Sequence, residues 1–485
     1  FKICEQLHTH FKKDSTKKCN IMNFKKLISI SLALGMIVFL NACSDSNSPT
    51  EETQNPPQEE SGVLPPLDFS NDYTQASLDA SPSVVRYTQT ISSVNGKPYI
   101  PLMCYGIEIS DMPNIKQIGF NTVHTYQTRN RTEKEWLAYL DAAQQNGLMV
   151  FFNLDGAILT ADKEAKLKRM VQCVKNHPAL HSWYLADEPS KDKVEPSKLQ
   201  AIYNWIKKED SNNHPVLCSN WELNNFINCC DVGMRQLYWG LPSRQSSALN
   251  NYLEAQNKGK KTWMAIINSH DRGWGYDDNA PYSVCPKMAF GYLTQKGYKE
   301  GDQEWEDLKN RFTQLSNDLE HPETYGFKLT PAFPKNAEEI RGCLYWALVH
   351  GSNGLAYWLY TNPTTLYLGG WYTTFHQSAL RNGIQKTLKE IATLSSYLLT
   401  PAENSNAFMS EQGLYVWSKK SNGRRIVAIL NETGDAFQGS IDLAKLYITN
   451  KTLKAFNEDD RAIKLDGDML TDSFVKEGIH IYFVE

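Results

Sequence analysis

His181-Ser182-Trp183-Tyr184-Leu185-Ala186-Asp187-Glu188-Pro189 is the stretch whose reading decides the fold. It is an apolar strand that stops abruptly in two carboxylates and a proline, a residue with no N–H to give to a ladder. Successive side chains of a strand point to opposite faces. On that parity Asp187 shares a face with Trp183 and Leu185, bulky residues suited to packing under outer helices. Glu188 shares the other face with Ser182, Tyr184 and Ala186, the mixture expected inside a crowded barrel. A carboxylate at the C-terminal tip of a barrel strand sits where such folds keep their chemistry. The plainer alternative is a charged strand-to-helix turn in which Asp187 or Ser190 caps the next helix.

Around this stretch the chain alternates strand and helix, the pattern of a parallel α/β array. The strands are expected at Tyr99–Tyr105, Asn121–Tyr126, Leu148–Asn153, Ser182–Ala186, Pro215–Ser219, Val232–Trp239, Thr262–Ile267 and Gly354–Tyr360. Helices are expected between them, among others at Glu133–Asn146, Lys163–Asn176 and Ser197–Glu209. A last one, His376–Leu399, carries Leu380, Ile384, Leu388, Ile391 and Leu394 at helical spacing. Eight repeats with right-handed crossovers predict a closed (β/α)8 TIM barrel over residues 81–400. The connection from His270 to Lys335 is too long for an ordinary barrel loop and predicts an insertion over the active-site face. Ahead of the barrel, Val85–Ile91 and Tyr99–Met103 flank an Asn95-Gly96 turn and read as a hairpin. Beyond Pro401 come short alternating runs separated by Asn-Gly, Thr-Gly and Asp-Gly turns, an all-β accessory domain over 401–485 read as a small sandwich.

Reading each strand to its tip collects the candidate site. Tyr105 and Glu108 follow the first strand, and His124 and Tyr126 share a parity on the second. Asn153 and Asp155 share one on the third, and Glu188 ends the fourth. Asn220, Trp221 and Glu222 follow the fifth, Tyr238 and Trp239 end the sixth, and Asn268, His270 and Asp271 follow the seventh. The eighth gives Tyr357, Trp358 and Tyr360. Aromatic faces stack on the C–H surfaces of a sugar ring, while amides and acids take hydroxyl hydrogen bonds. Each residue alone has a structural reading too: Trp358 as core, His124 as a satisfied buried histidine, Glu222 as a turn cap. Concentration at one end of the barrel favours a glycan site, with Tyr105, His124, Tyr126, Asp155, Asp187, Trp239, Asn268 and Trp358 as its binding residues.

Trp183-Tyr184-Leu185-Ala186-Asp187-Glu188-Pro189 resembles the fourth-strand motif of the retaining (β/α)8 glycoside hydrolases, usually Asn-Glu-Pro. Asn95-Gly96-Lys97-Pro98 and Gly354-Leu355-Ala356-Tyr357-Trp358 resemble the same group, and the likeness spans about Gly96 to Leu399. The resemblance implies that Glu188 is the acid/base and that Trp358 lies under the sugar. Two departures stand out. Asp187 replaces the asparagine that reads the sugar 2-hydroxyl, and Trp263–Asp271 contains no glutamate where the group keeps its nucleophile. Asp271 ranks first for the second carboxylate, Glu222 second and Asp155 third. The expected function is hydrolysis of a polysaccharide or oligosaccharide. The rival is a non-catalytic glycan-binding protein that has lost the second acid, and a third reading is a structural surface protein with a plugged barrel mouth.

Composition agrees with this class. Hydrophobic content of 41% and charged content of 21% are those of a globular protein, and a net charge of -4 offers no basic footprint for nucleic acid. Met22, Lys25-Lys26 and the uncharged run Leu27–Leu40 form a signal segment, too short for a comfortable membrane span. Its end, Leu40-Asn41-Ala42-Cys43, resembles a bacterial lipobox with Cys43 as the lipid-modified residue. Residues 1–43 are thus read as an upstream extension plus signal peptide, and 44–80 as a polar tether. The Ser-Asp-Ser at its start resembles the export signal of Bacteroidetes-type surface lipoproteins, which implies an outer-membrane, cell-surface location. Seven of the ten cysteines follow Cys43, an odd number with no zinc-like spacing, so neither a metal nor another cofactor is expected and at most one disulfide is foreseen.

Overall fold

Eight parallel strands close on themselves: β4 (Leu102–Tyr105), β5 (Thr122–His124), β6 (Met149–Asn153), β7 (Leu180–Asp187), β8 (Val216–Ser219), β9 (Val232–Leu237), β10 (Thr262–Asn268) and β11 (Leu355–Trp358). They pair in chain order, and β11 returns to β4. The chain therefore folds as the (β/α)8 TIM barrel with a C-terminal all-β domain. The computed structural model describes residues 67–485 apart from 89–90, 155–163, 191, 220–222, 239–261, 276, 369, 400–404, 422 and 460. Alternation along each strand sorts two layers. Met103, Tyr105, Phe151, Tyr184, Leu217, Met234, Met264 and Ile266 fill the interior, while Leu102, Cys104, Val150, Phe152, Trp183, Trp263 and Ala265 pack under the surrounding helices.

The lower end is closed by a small antiparallel sheet of β1 (Val85–Tyr87), β2 (Ser92–Val94) and β3 (Lys97–Pro98). Its turn is Asn95-Gly96, both with positive φ, the geometry that a two-residue hairpin loop needs. The hairpin thus joins β2 to β3, and the segment from Tyr99 onward passes into the barrel instead of forming its second arm. Residues 67–80, read above as tether, pack on the folded unit. The Tyr73 N–H donates to Ser395 Oγ at 2.8 Å, Asn121 Nδ2 donates to the Thr74 carbonyl at 2.9 Å, and Phe69 meets Phe483 edge-on.

The insertion after β10 carries the helices Pro286–Gln295 and Gln303–Leu315, held by Phe290, Phe312 and Phe327. The next helix, Ala337–Val349, is buried along its length from Glu339. It lies between the barrel and the all-β domain, which explains an apolar run with no polar face. That domain has a six-stranded sheet in the order β12 (Ser405–Met409), β13 (Leu414–Ser421), β14 (Arg424–Asn431), β19 (Ile479–Val484), β16 (Thr452–Ala455) and β17 (Ala462–Lys464). A two-stranded sheet of β15 (Phe437–Asp442) and β18 (Met469–Phe474) faces it. Parity again divides the labour: Val427 and Ile429 enter the core between the sheets, while Ile426, Ala428 and Leu430 join the barrel's core. The buried Arg341 ties the domains, donating to Glu390 Oε2 at 2.7 Å and to the Ile479 carbonyl.

All seven cysteines among the described residues are free thiols. Among those residues no helix is long and apolar enough to cross a membrane.

Candidate active site

The C-terminal mouth of the barrel has a tyrosine floor. Tyr105 on β4 and Tyr184 on β7 are fully buried, and the Tyr105 hydroxyl donates to that of Tyr184 at 3.2 Å. His124, ending β5, sits among Tyr105, Tyr126 and Tyr184 with ring centroids 4.6–4.7 Å away. Burial alone pushes its pKa down to about 3, so the imidazole is neutral across the physiological range. Neither of its ring nitrogens has a partner among the described residues. Tyr126 stands above, at the start of the turn that follows β5.

The tip of β7 departs from simple parity. Tyr184 pairs with Leu217, but Ala186 pairs with Cys218 and Asp187 with Ser219, so Leu185 is an extra residue in the strand. A bulge of this kind reverses the alternation for what remains of the strand, here Asp187, while Glu188 lies beyond the strand end, where parity no longer applies. Leu185 and Ala186 both pack outward, and Asp187 points into the mouth. This corrects the expectation that Asp187 packs under the outer helices. Asp187 Oδ2 accepts from the Tyr126 hydroxyl at 3.1 Å, and Tyr126 in turn accepts from Trp358 Nε1 at 3.1 Å. Burial, then the neighbouring charge of Glu188, pushes the Asp187 pKa up to about 6, against hydrogen bonds from Tyr184, Tyr126 and Ser219. Glu188 is in the left-handed region at φ 50°, and its N–H donates to the Ser219 carbonyl at 2.8 Å. Its charge reaches both Asp187 and the Tyr238 phenol, which puts it at the same rim.

One wall of the mouth is aromatic. Trp358 stacks on Tyr238 at 5.6 Å and 30°. His270 meets Trp358 edge-to-face at 4.6 Å and Trp371 at the same distance. Asn268 lies at the tip of β10 beside Trp358 on β11, and its Nδ2 donates to the His270 carbonyl at 3.1 Å. The peptide after Trp358 is cis. Below Asp187, Gln236 Nε2 donates to Ser219 Oγ at 3.3 Å. Trp371, Ser219 and Gln236 were not anticipated. Ser219 and Gln236 look like ordinary strand residues until strand closure aligns them, although the Gly-Gly pair before Trp371 could have marked a loop that presents a ring.

Asp271 is placed differently from its expected role. It is fully buried. Its Oδ1 accepts from the Gly273 N–H at 2.7 Å and its Oδ2 from the Thr330 N–H at 2.8 Å. Burial raises its pKa while these bonds lower it. The carboxylate ties the two ends of the insertion together, 59 residues apart, with its acceptor sites used there. Asp155, Glu222, Trp239 and Cys43 lie outside the described residues. Among the described residues no group of three or more His, Cys, Asp or Glu side chains is arranged to hold a metal.

No family model matches the chain, and no curated protein matches it significantly. Solved structures do. A protein described as a glycoside hydrolase aligns at 12% identity over 83% of this chain and 96% of its own, with a TM-score of 0.52. An Anoxybacillus α-amylase aligns at 10% identity over 78% of this chain and 89% of its own, with a TM-score of 0.48. At 12% identity the first likeness is one of fold, that of a TIM barrel.

Proposed function

We propose that this chain is a glycoside hydrolase acting on a polysaccharide or oligosaccharide at the C-terminal mouth of its barrel. The observation that carries the reading is Asp187: a carboxyl turned into the mouth by a bulge, fixed by Tyr126, and held at a pKa of about 6 by burial and by Glu188. Glycoside cleavage requires a carboxylic acid that still holds its proton near neutral pH to protonate the leaving oxygen, and a second carboxylate beside the sugar. In this proposal Asp187 carries the proton and Glu188 carries the charge that keeps it there. Glu188 then stabilises the positive charge that develops on the sugar ring. Asp271 is left out because its oxygens are committed within the insertion. Glu222 and Asp155 remain proposed neighbours on the adjoining strand tips, with Trp239 as a further stacking residue. The Trp358–Tyr238 wall gives a sugar a flat apolar face, and a fold shared with a glycoside hydrolase is compatible with this, though fold alone does not assign chemistry. We further propose that Cys43 anchors the mature chain by lipid at the cell surface, a reading supported by the basic-then-apolar segment before it.

The test is turnover on a glycan panel with product detection. Asp187→Asn and Glu188→Gln each keep shape and remove one element of the couple, so each is expected to lose about 10²–10⁴-fold in kcat with binding retained. Undiminished turnover in Asp187→Asn would remove Asp187 from the mechanism. Binding by the wild type without any product would replace the hydrolase reading with that of a glycan-binding protein.

A further inference from the structure

Two cations flank the aromatic wall of the mouth. Arg272 is exposed and lies on the Tyr238 side, where Nη1 donates to the Tyr238 carbonyl at 3.1 Å. Burial first, then Tyr105, Asp187 and Glu188, push the Tyr238 phenol up, and Arg272 pulls it back, so the guanidinium and the two carboxylates act on one ring. Lys287 lies on the other side, exposed, with its ammonium 5.0 Å from the Trp371 ring centroid. It occupies the first turn of the helix Pro286–Gln295, which has no acidic residue there. A cation at a helix N-terminus opposes the macrodipole. The position therefore costs a little stability and concentrates positive potential on the wall. The acids of the same loop, Asp277 and Asp278, are exposed, and Asp277 Oδ1 is occupied by the Asn279 N–H at 2.8 Å.

Between the two cations sits His270, 4% exposed. Burial first, then Arg272 and Lys287, hold its pKa down to about 3, while a hydrogen bond to the Trp358 backbone works the other way. Nδ1 is buried and has no hydrogen-bond partner among the described residues. An unmet polar atom in a buried position is costly unless something supplies a partner. A sugar hydroxyl lying on the Trp358–Trp371 surface, able to donate or to accept, is such a partner.

We propose that the mouth is built for an anionic sugar, whose acid group, a uronate carboxylate or a sulfate ester, is met by Arg272 and Lys287 while a ring hydroxyl pairs with His270. This rests on the carbohydrate reading above and adds the charge class of the substrate. Guanidinium suits a planar or tetrahedral oxyanion through its fork of donors, and the lysine adds a point charge beside it.

The experiment uses the full chain and an array of neutral, uronate-bearing and sulfated glycans, followed by matched forms of each bound glycan. Carboxyl reduction removes a uronate charge and desulfation removes a sulfate, each leaving the linkage intact. The expected result is binding confined to anionic members, with an about 10–100-fold loss on neutralising the sugar and a similar loss in Arg272→Gln and Lys287→Gln. Only one of the two chemical treatments should abolish binding, and it identifies the acid group. Circular dichroism checks that both variants stay folded, and because both residues are exposed no loss of fold is expected. Binding or cleavage of neutral glycans with equal affinity overturns the inference and leaves the hydrolase reading standing. Anionic binding that neither variant weakens overturns the assignment to these two residues. Absence of binding to every glycan overturns both readings.

Discussion

Glu432 offers a quantitative test of how the all-β domain is docked. It follows β14 and faces His350, the residue that ends the buried helix Ala337–Val349. His350 Nδ1 donates to the Trp346 carbonyl at 2.8 Å, which leaves Nε2 as an acceptor. That nitrogen lies 3.2 Å from Glu432 Oε1, with both side chains no more than 6% exposed. Tyr415 stacks on the imidazole at 3.9 Å and Glu477 is close enough to repel a charge on Glu432. Neither Glu432 oxygen has a hydrogen-bond partner among the described residues and the nearest group is an acceptor, so Glu432 is read as the neutral acid. Burial raises the carboxyl from 4.5 to about 8, and burial lowers His350 to about 4, both in keeping with a neutral pair. A raised acid pKa gives stability that is complete below pH 4.5 and lost as pH rises to about 8. Each pH unit of that window is worth about 1.4 kcal/mol, so the loss approaches about 5 kcal/mol as an upper bound. Glu432→Gln keeps a donor toward His350 and cannot ionise. The variant and the wild type should match within about 1 kcal/mol at pH 5, and the variant should lead by about 2–5 kcal/mol at pH 8.5. Urea unfolding followed by tryptophan fluorescence at the two pH values measures this, and the histidine's own titration cancels in the difference. A pH-independent gap, or a variant less stable at pH 8.5, would refute the reasoning.

Other outcomes follow from the site and the chain. Asp271→Asn places an amide N–H against a backbone N–H at either Thr330 or Gly273, so it should destabilise by about 1–3 kcal/mol in thermal unfolding. Its turnover should survive below the melting transition, and a loss as large as that of Asp187→Asn would restore Asp271 as a catalytic acid. Trp358→Ala removes both the stacking face and the donor to Tyr126, so glycan affinity should fall by about tenfold or more in titration calorimetry, and unchanged affinity would remove the wall from the binding site. Cys43→Ser should release the chain from the membrane or leave it unprocessed, and unchanged detergent partitioning would end the lipid-anchor proposal.

Much of the architecture was legible before any coordinates. The strand-and-helix alternation, the long connection after the seventh strand and the change of pattern beyond Pro401 are local signals, because hydrophobic period and turn residues act within a few positions. They placed Tyr105, Tyr126, Asn268 and Trp358 near one end of a barrel, where the structure does bring them together. The orientation of Asp187 was not legible. Parity is counted along one strand, whereas the bulge at Leu185 is set by how β7 pairs with β8, a fact that resides in the neighbouring strand. Asp271 looked like an acid at a strand tip because its partner Thr330 lies 59 residues further along the chain. The Trp358, Tyr238, His270 and Trp371 wall exists only once the barrel closes and the last loop folds back over it. The proton on Glu432 depends on a domain contact that no window of sequence contains. Periodicity along a chain thus determines which segments become strands and which face is apolar. Register, burial and the electrostatic setting of a carboxyl arise between segments, so they were decided only by the tertiary structure.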